Sequence, residues 1–94
     1  MKGYIYLIES IVNNKRYLGS TNNPSIRIKE HNDGVCKSTK YNSPWKCLVI
    51  IYIGNLVVAR RAEYYIKRQK EKLTIQNVVK NLNQFFNKTS ALDD

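Results

Sequence analysis

Residues 3–21 read GYIYLIESIVNNKRYLGST, and this stretch decides the architecture. Gly3 to Ile8 is rich in Tyr and Ile, side chains that favour a pleated surface, and Val12-Asn13-Asn14-Lys15 supplies residues that turn a chain. Arg16 to Thr21 then returns as a second strand. With an even number of loop residues centred on Asn13-Asn14, strand alternation puts Tyr4, Tyr6, Tyr17, Gly19 and Thr21 on one face. Ile5, Leu7 and Leu18 take the other, and Ile8 falls as an exception on the phenol side. Gly19 among the phenols reads as a place where a ligand approaches the backbone.

Downstream, Asn23-Pro24 predicts a helix start, with Asn as N-cap and Pro at the first helical position, where its missing N–H costs nothing. The helix runs to about Asn32 and closes at Asp33-Gly34. Arg27 and His31 share one face, whereas Ile26 and Ile28 cannot both meet one core. Val35 to Trp45 is polar, carries Lys37 and Lys40, and reads as a surface loop. Lys46 to Ile53 is almost continuously apolar, the pattern of a central strand covered on both faces. Gly54-Asn55 breaks it and caps a helix from Leu56 to about Gln69, with Val58, Ala62, Tyr65 and Ile66 as its apolar stripe. Thr74 caps a last helix, to about Phe85. The order predicts an α+β domain, a three-stranded antiparallel sheet flanked by helices, over residues 1–86, with 87–94 as a flexible tail.

The chain has 94 residues, 43% hydrophobic and 24% charged, which suits one small globular core and excludes collagen-like, disordered and disulfide-dense classes. Its longest apolar run, Cys47 to Ile53, is far short of the roughly 20 residues that cross a bilayer. With no secretory pattern at the start of the sequence, a cytoplasmic protein is expected. Cys36 and Cys47 are expected as free thiols, because two cysteines cannot complete a structural zinc shell unless His31 and a carboxylate join them. The net charge of +9 draws polyanions, nucleic acid first. Arg60, Arg61, Lys67, Arg68, Lys70 and Lys72 crowd one helix and its exit, where like charges repel until a partner neutralises them.

No phosphate-cradling glycine loop, Ser/His/Asp signature or clustered Cys/His set is present. The chemically useful residues form an ordered set: Tyr4-Ile5-Tyr6 on the first strand, Tyr17-Leu18-Gly19 on the second, Arg27 and His31 on the first helix, and Glu63 on the next long one. That set resembles the GIY-YIG nuclease family over residues 3 to 70. The first motif reads YIY in place of GIY and the second YLG in place of YIG; both keep the tyrosine beside an aliphatic residue. Tyr52-Ile53-Gly54 spells the second motif literally, yet no Arg-x-x-x-His follows it.

The resemblance implies a metal-dependent endonuclease that hydrolyses phosphodiester bonds in DNA. Glu63 would be the carboxylate ligand of one Mg²⁺ or Mn²⁺, Tyr6 the residue that activates water, with cationic neighbours favouring its phenolate, and Tyr17 a positioning group. An always-charged guanidinium suits Arg27 to clamp a phosphoryl oxygen, and His31 titrates near neutrality and can relay a proton. The blander readings are an Arg27–Glu30 surface pair, a Glu63–Lys67 pair and an aromatic brace of Tyr6 with Tyr17. The family's asparagine falls on Asn77 or Asn81. Lys37, Lys40, Arg60 and Lys67 are expected to touch nucleic acid, with Tyr41 and Trp45 stacking on exposed bases. So small a domain leaves specificity to DNA structure, single-strandedness or a protein partner, and RNA stays open as a substrate. The alternative is a non-catalytic nucleic-acid-binding module of the same fold.

Overall fold

The computed structural model describes the backbone of residues 1–93 and side chains as far as Lys88. Among the described residues the elements are β1 (Tyr4–Ser10), β2 (Arg16–Thr21), α1 (Pro24–Asn32), a 3-10 turn (Lys40–Asn42), β3 (Trp45–Tyr52), α2 (Leu56–Arg68) and α3 (Ile75–Asp93). The sheet is antiparallel with order β2-β1-β3. Helix α3 continues beyond the end expected at Phe85, into the stretch read as a tail, whose side chains from residue 89 onward lie outside the described ones.

The β1–β2 register pairs Tyr4 with Thr21, Tyr6 with Gly19, Ile8 with Tyr17 and Glu9 with Arg16. The turn is therefore centred on Val12-Asn13 instead of Asn13-Asn14. This slip is an even one and leaves every side chain on its expected face. Asn14 takes a left-handed conformation, φ 63°, which Asn tolerates in turns. One face of the sheet carries Ile5, Leu7 and Leu18, packed with Ala59, Ala62 and Ile66 of α2 and Val78 and Leu82 of α3. The other gathers Tyr6, Ile8 and Trp45 beneath α1, with Tyr17 and Ile28 at its margin, while Ile26 faces solvent.

The expected place of the apolar 46–53 stretch is corrected: β3 is an edge strand, and β1 holds the centre. In a three-stranded sheet only one strand pairs on both sides. Ile5, Leu7 and Ile8 of β1 are fully buried, whereas Ile50 and Tyr52 of β3 are exposed because the nine-residue α1 is too short to cover them. Val49 and Ile51 face the α2–α3 core, which accounts for half of the apolar run.

Two local contacts fix where α2 begins. Asn55 caps it, its side-chain oxygen accepting from the N–H groups of Val57 at 2.7 Å and Val58 at 3.3 Å. The Gly3 carbonyl accepts from Ile53 and Gly54, and a Cβ on Gly3 would overlap the Asn55 carbonyl. The start of α2 is thereby locked to the start of β1, and α2 runs beside β2. Because Leu7 sits at the centre of the packed face, Leu7→Ala should cost about 2–5 kcal/mol in urea unfolding. A loss below about 1 kcal/mol would place Leu7 outside the core.

Candidate active site

Tyr6 is 1% exposed, and its hydroxyl lies 2.8 Å from Nε2 of His31, which is itself fully buried on the last turn of α1. Nδ1 of His31 lies 2.7 Å from Oγ1 of Thr39, and the Thr39 hydroxyl donates onward to the Cys36 carbonyl at 3.4 Å. With the Thr39 proton on that contact, the network is satisfied when Nδ1–H donates to Thr39, Nε2 accepts and Tyr6 donates, and we assign the tautomer so. Thr39 is held in turn, its carbonyl accepting from Nε1 of Trp45 at 3.1 Å.

Gly19 lies directly opposite Tyr6, and its role differs from the one read in the sequence. The phenol, not a ligand, fills the space above it: a Cβ on Gly19 would fall against the Tyr6 hydroxyl and Cζ. Tyr17 lies beside both rings, its centroid 6.3 Å from Tyr6 and 5.0 Å from His31. On its other side the ammonium of Lys67 stands 5.3 Å from the Tyr17 centroid.

Glu63 reaches this edge of the sheet from α2. Ser20 of β2 donates to its Oε1 at 2.6 Å and Lys67 to its Oε2 at 2.6 Å. Arg27 pairs with Glu30 at 3.2 Å, and its charge also acts on the Tyr6 oxygen. The surface pairs read as alternatives for Arg27 and Glu63 are thus both present, alongside the contacts that join these residues to the cluster. Arg27, Glu30, Ser20 and Arg60 line one cavity of about 360 Å³, so two guanidinium groups converge on a polar hollow next to Glu63.

The electrostatics run against one expectation. Burial pushes the Tyr6 phenol up to about 12, outweighing the lowering by Arg27, so the cationic neighbour does not yield a phenolate at neutral pH. Burial, with repulsion from Arg27, holds His31 below its usual 6.5. Burial also works against the charge on Arg27, but its interactions with Tyr6 and Glu30 prevail and keep it firmly cationic. The resting pair is therefore a neutral phenol donating to a neutral imidazole.

No group of three or more His, Cys, Asp or Glu able to hold a metal ion occurs among the described residues. One carboxylate with hard oxygens fits Mg²⁺ or Mn²⁺, which keep most of their water, and does not fit a closed zinc shell. The Lys67 ammonium already occupies a cationic position on Glu63, and Lys67 is exposed enough to yield it. Cys36 and Cys47 are free thiols.

The remaining expected residues are dispersed. Lys37 and Lys40 lie in the 35–44 loop, Lys40 over the exposed Tyr41 ring at 4.8 Å. Trp45 is corrected: at 5% exposed it packs with Tyr6 and Ile8 and has no face free to stack on a base. The loop is also more than surface, since it carries the buried Thr39, which sequence reasoning missed because a lone Thr in a polar segment gives no periodic signal. Ser20 was missed for the same reason. Asn77 donates to the Lys72 carbonyl at the start of α3. Asn81 is buried with Oδ1 unpaired, and neither Asn hydrogen-bonds to Tyr6, Tyr17, Arg27, His31 or Glu63.

Residues 2–77 match the GIY-YIG catalytic domain. The chain belongs to the GIY-YIG family. It is similar to UPF0213 protein CPE1444 of Clostridium perfringens, 34% identical over 74 residues that cover 78% of each chain. In this GIY-YIG domain the YIY and YLG motifs are adjacent strands, and the literal Tyr52-Ile53-Gly54 ends the far edge strand, where Tyr52 packs on Tyr4. Gly19→Ala should destabilise the protein by about 1–3 kcal/mol through overpacking. A neutral Gly19→Ala in urea titration would mean that the phenol does not lie on Gly19.

Proposed function

We propose that this GIY-YIG protein is a metal-dependent endonuclease that hydrolyses phosphodiester bonds in DNA, selecting branched or single-stranded structure. The observation that carries this reading is the gathering of Tyr6, Tyr17, Arg27, His31 and Glu63 about the middle of the β1–β2 pair, beside a hollow flanked by Arg27 and Arg60. Residues 1–86 are its working unit, its setting is the cytoplasm, and DNA structure or a protein partner supplies further specificity. Among the described residues no helix is long and apolar enough to cross a membrane.

The chemistry follows from the neutral pair. Binding of a phosphate draws the Arg27 guanidinium from Glu30 onto a phosphoryl oxygen and so brings the phosphate to the Tyr6 side of the hollow. As water attacks phosphorus, its proton passes to the Tyr6 oxygen while the phenol proton passes to Nε2 of His31, so no phenolate accumulates. Phosphorus gains the water oxygen, the bond to the leaving oxygen breaks, and that oxygen takes a proton from solvent. Glu63 would hold Mg²⁺ or Mn²⁺, which supplies charge neutralisation on the phosphoryl and leaving oxygens. Tyr17 orients the phosphate, Thr39 keeps Nε2 of His31 unprotonated, and Lys37, Lys40, Arg60 and Lys67 draw in the backbone.

Cleavage of labelled single-stranded, duplex and branched DNA and of RNA, with Mg²⁺, Mn²⁺ or EDTA, tests this directly. Glu63→Ala and Arg27→Ala should each lower the rate by about a hundredfold or more, and EDTA should abolish it. Binding that persists without cleavage would favour the non-catalytic module, a reading to which the raised Tyr6 pKa and the fully paired Glu63 carboxylate lend weight.

The relay also predicts a pH profile. His31 accepts only when neutral, and its pKa lies below 6.5, so the rate should fall as pH drops through that lowered pKa and stay flat from pH 7 to about 9. A rate that climbs steadily across that alkaline range would make a phenolate or hydroxide the base and sink the relay.

A further inference from the structure

A groove of about 400 Å³ lies between α2 and α3, lined by Arg61, Tyr64, Tyr65 and Arg68 of one helix and Phe85 and Lys88 of the other. Its volume falls in the range of about 300–1,000 Å³ typical of small-ligand sites. It is separate from the candidate active site. Glu63 and Lys67, one turn apart, face β2, whereas Arg61, Tyr64, Tyr65 and Arg68 repeat at the spacing of another face of the same helix. A helix body, about 10 Å across, stands between them.

Three features define what the groove takes. Among the described residues no acidic side chain lines it, and Arg61, Arg68 and Lys88 make no ion pair. The acidic side chains described, Glu9, Glu30, Asp33, Glu63 and Glu71, are each paired with a cation elsewhere. The groove is also aromatic: Tyr64 is 65% exposed with the Arg68 guanidinium 5.6 Å from its centroid, and Lys88 lies 5.1 Å from the Tyr65 centroid. An exposed ring beside unpaired cations is the arrangement that stacks an unpaired base and holds its phosphates. Duplex bases are already stacked on one another and cannot reach Tyr64.

We propose that the groove between α2 and α3 is a second nucleic-acid site that binds an unpaired strand, stacking a base on Tyr64 while Arg61, Arg68 and Lys88 hold its phosphates. It deepens the endonuclease reading, on which it rests for its choice of ligand. A strand crossing α2 would be gripped about one helix diameter from Glu63, outside the bond being cut, so the groove would favour substrates with a single-stranded arm.

Fluorescence anisotropy in EDTA, where binding is read without cleavage, provides the test. The probes are oligothymidine and oligouridine of about 12 nucleotides and a blunt DNA duplex of equal length. Tyr64→Ala with Arg68→Ala, both at exposed positions, should weaken single-strand binding about tenfold or more and duplex binding by less than about threefold. Tyr64→Phe should keep the single-strand affinity, and Lys15→Ala, a remote charge removal, should leave the preference between strand types unchanged. Loss on oligothymidine, oligouridine or both supports the site and names the sugar it accepts. Unchanged single-strand affinity, or an equal loss on single strand and duplex, overturns it. Because binding is measured apart from turnover, a protein that shows these effects yet cuts nothing in Mg²⁺ counts against the endonuclease reading alone.

Discussion

The hydrogen bond from the Tyr6 phenol to Nε2 of His31 is the contact on which the site's geometry depends. It joins β1, the central strand, to the last turn of α1, and the ring can lie where it does only because Gly19 on β2 has no side chain. Three elements are therefore tied together by one phenol. A buried hydroxyl or imidazole without a partner costs about 1–3 kcal/mol, so the pair also makes α1 prefer this seat on the sheet. Thr39 and Trp45 extend the same chain of bonds to the loop before β3, which explains why an otherwise polar loop is anchored from beneath.

The balance between burial and charge then sets the chemistry available. A phenol beside a guanidinium would ordinarily ionise more readily, yet here desolvation outweighs Arg27 and leaves Tyr6 harder to ionise. The same burial makes His31 a neutral acceptor. The two shifts act in one direction: they favour passing a proton along the pair over storing charge on either member. In the proposed reaction Arg27 would couple this to binding, because the guanidinium whose charge acts on Tyr6 is also the group best suited to a phosphate.

Much of the fold was legible because strand parity survives an even slip in register. The turn centre was misplaced, yet the slip was even and Tyr6, Tyr17 and Gly19 stayed on one face opposite Ile5, Leu7 and Leu18. Asn23-Pro24, Asn55 and Thr74 announced their helices by capping, which is local chemistry. The place of β3 was not legible, since an apolar run reports burial of its residues but not how many neighbours the strand has. Trp45 and Thr39 were misjudged for a related reason: both sit in a polar segment, and only the packing of that segment under the sheet turns them inward. The five candidate residues stood out through an ordered set that resembles the family's motifs, whereas the sign of the Tyr6 shift needed its depth of burial, which no local pattern encodes.

The state of His31 is the most direct check on this account. Long-range ¹H–¹⁵N correlation spectra of the free protein near pH 7 distinguish the two imidazole nitrogens. The account predicts a neutral ring protonated on Nδ1, with Nε2 bare and accepting from Tyr6. A proton on Nε2, or a cationic ring at that pH, would contradict it, because the phenol would then have no acceptor for its proton.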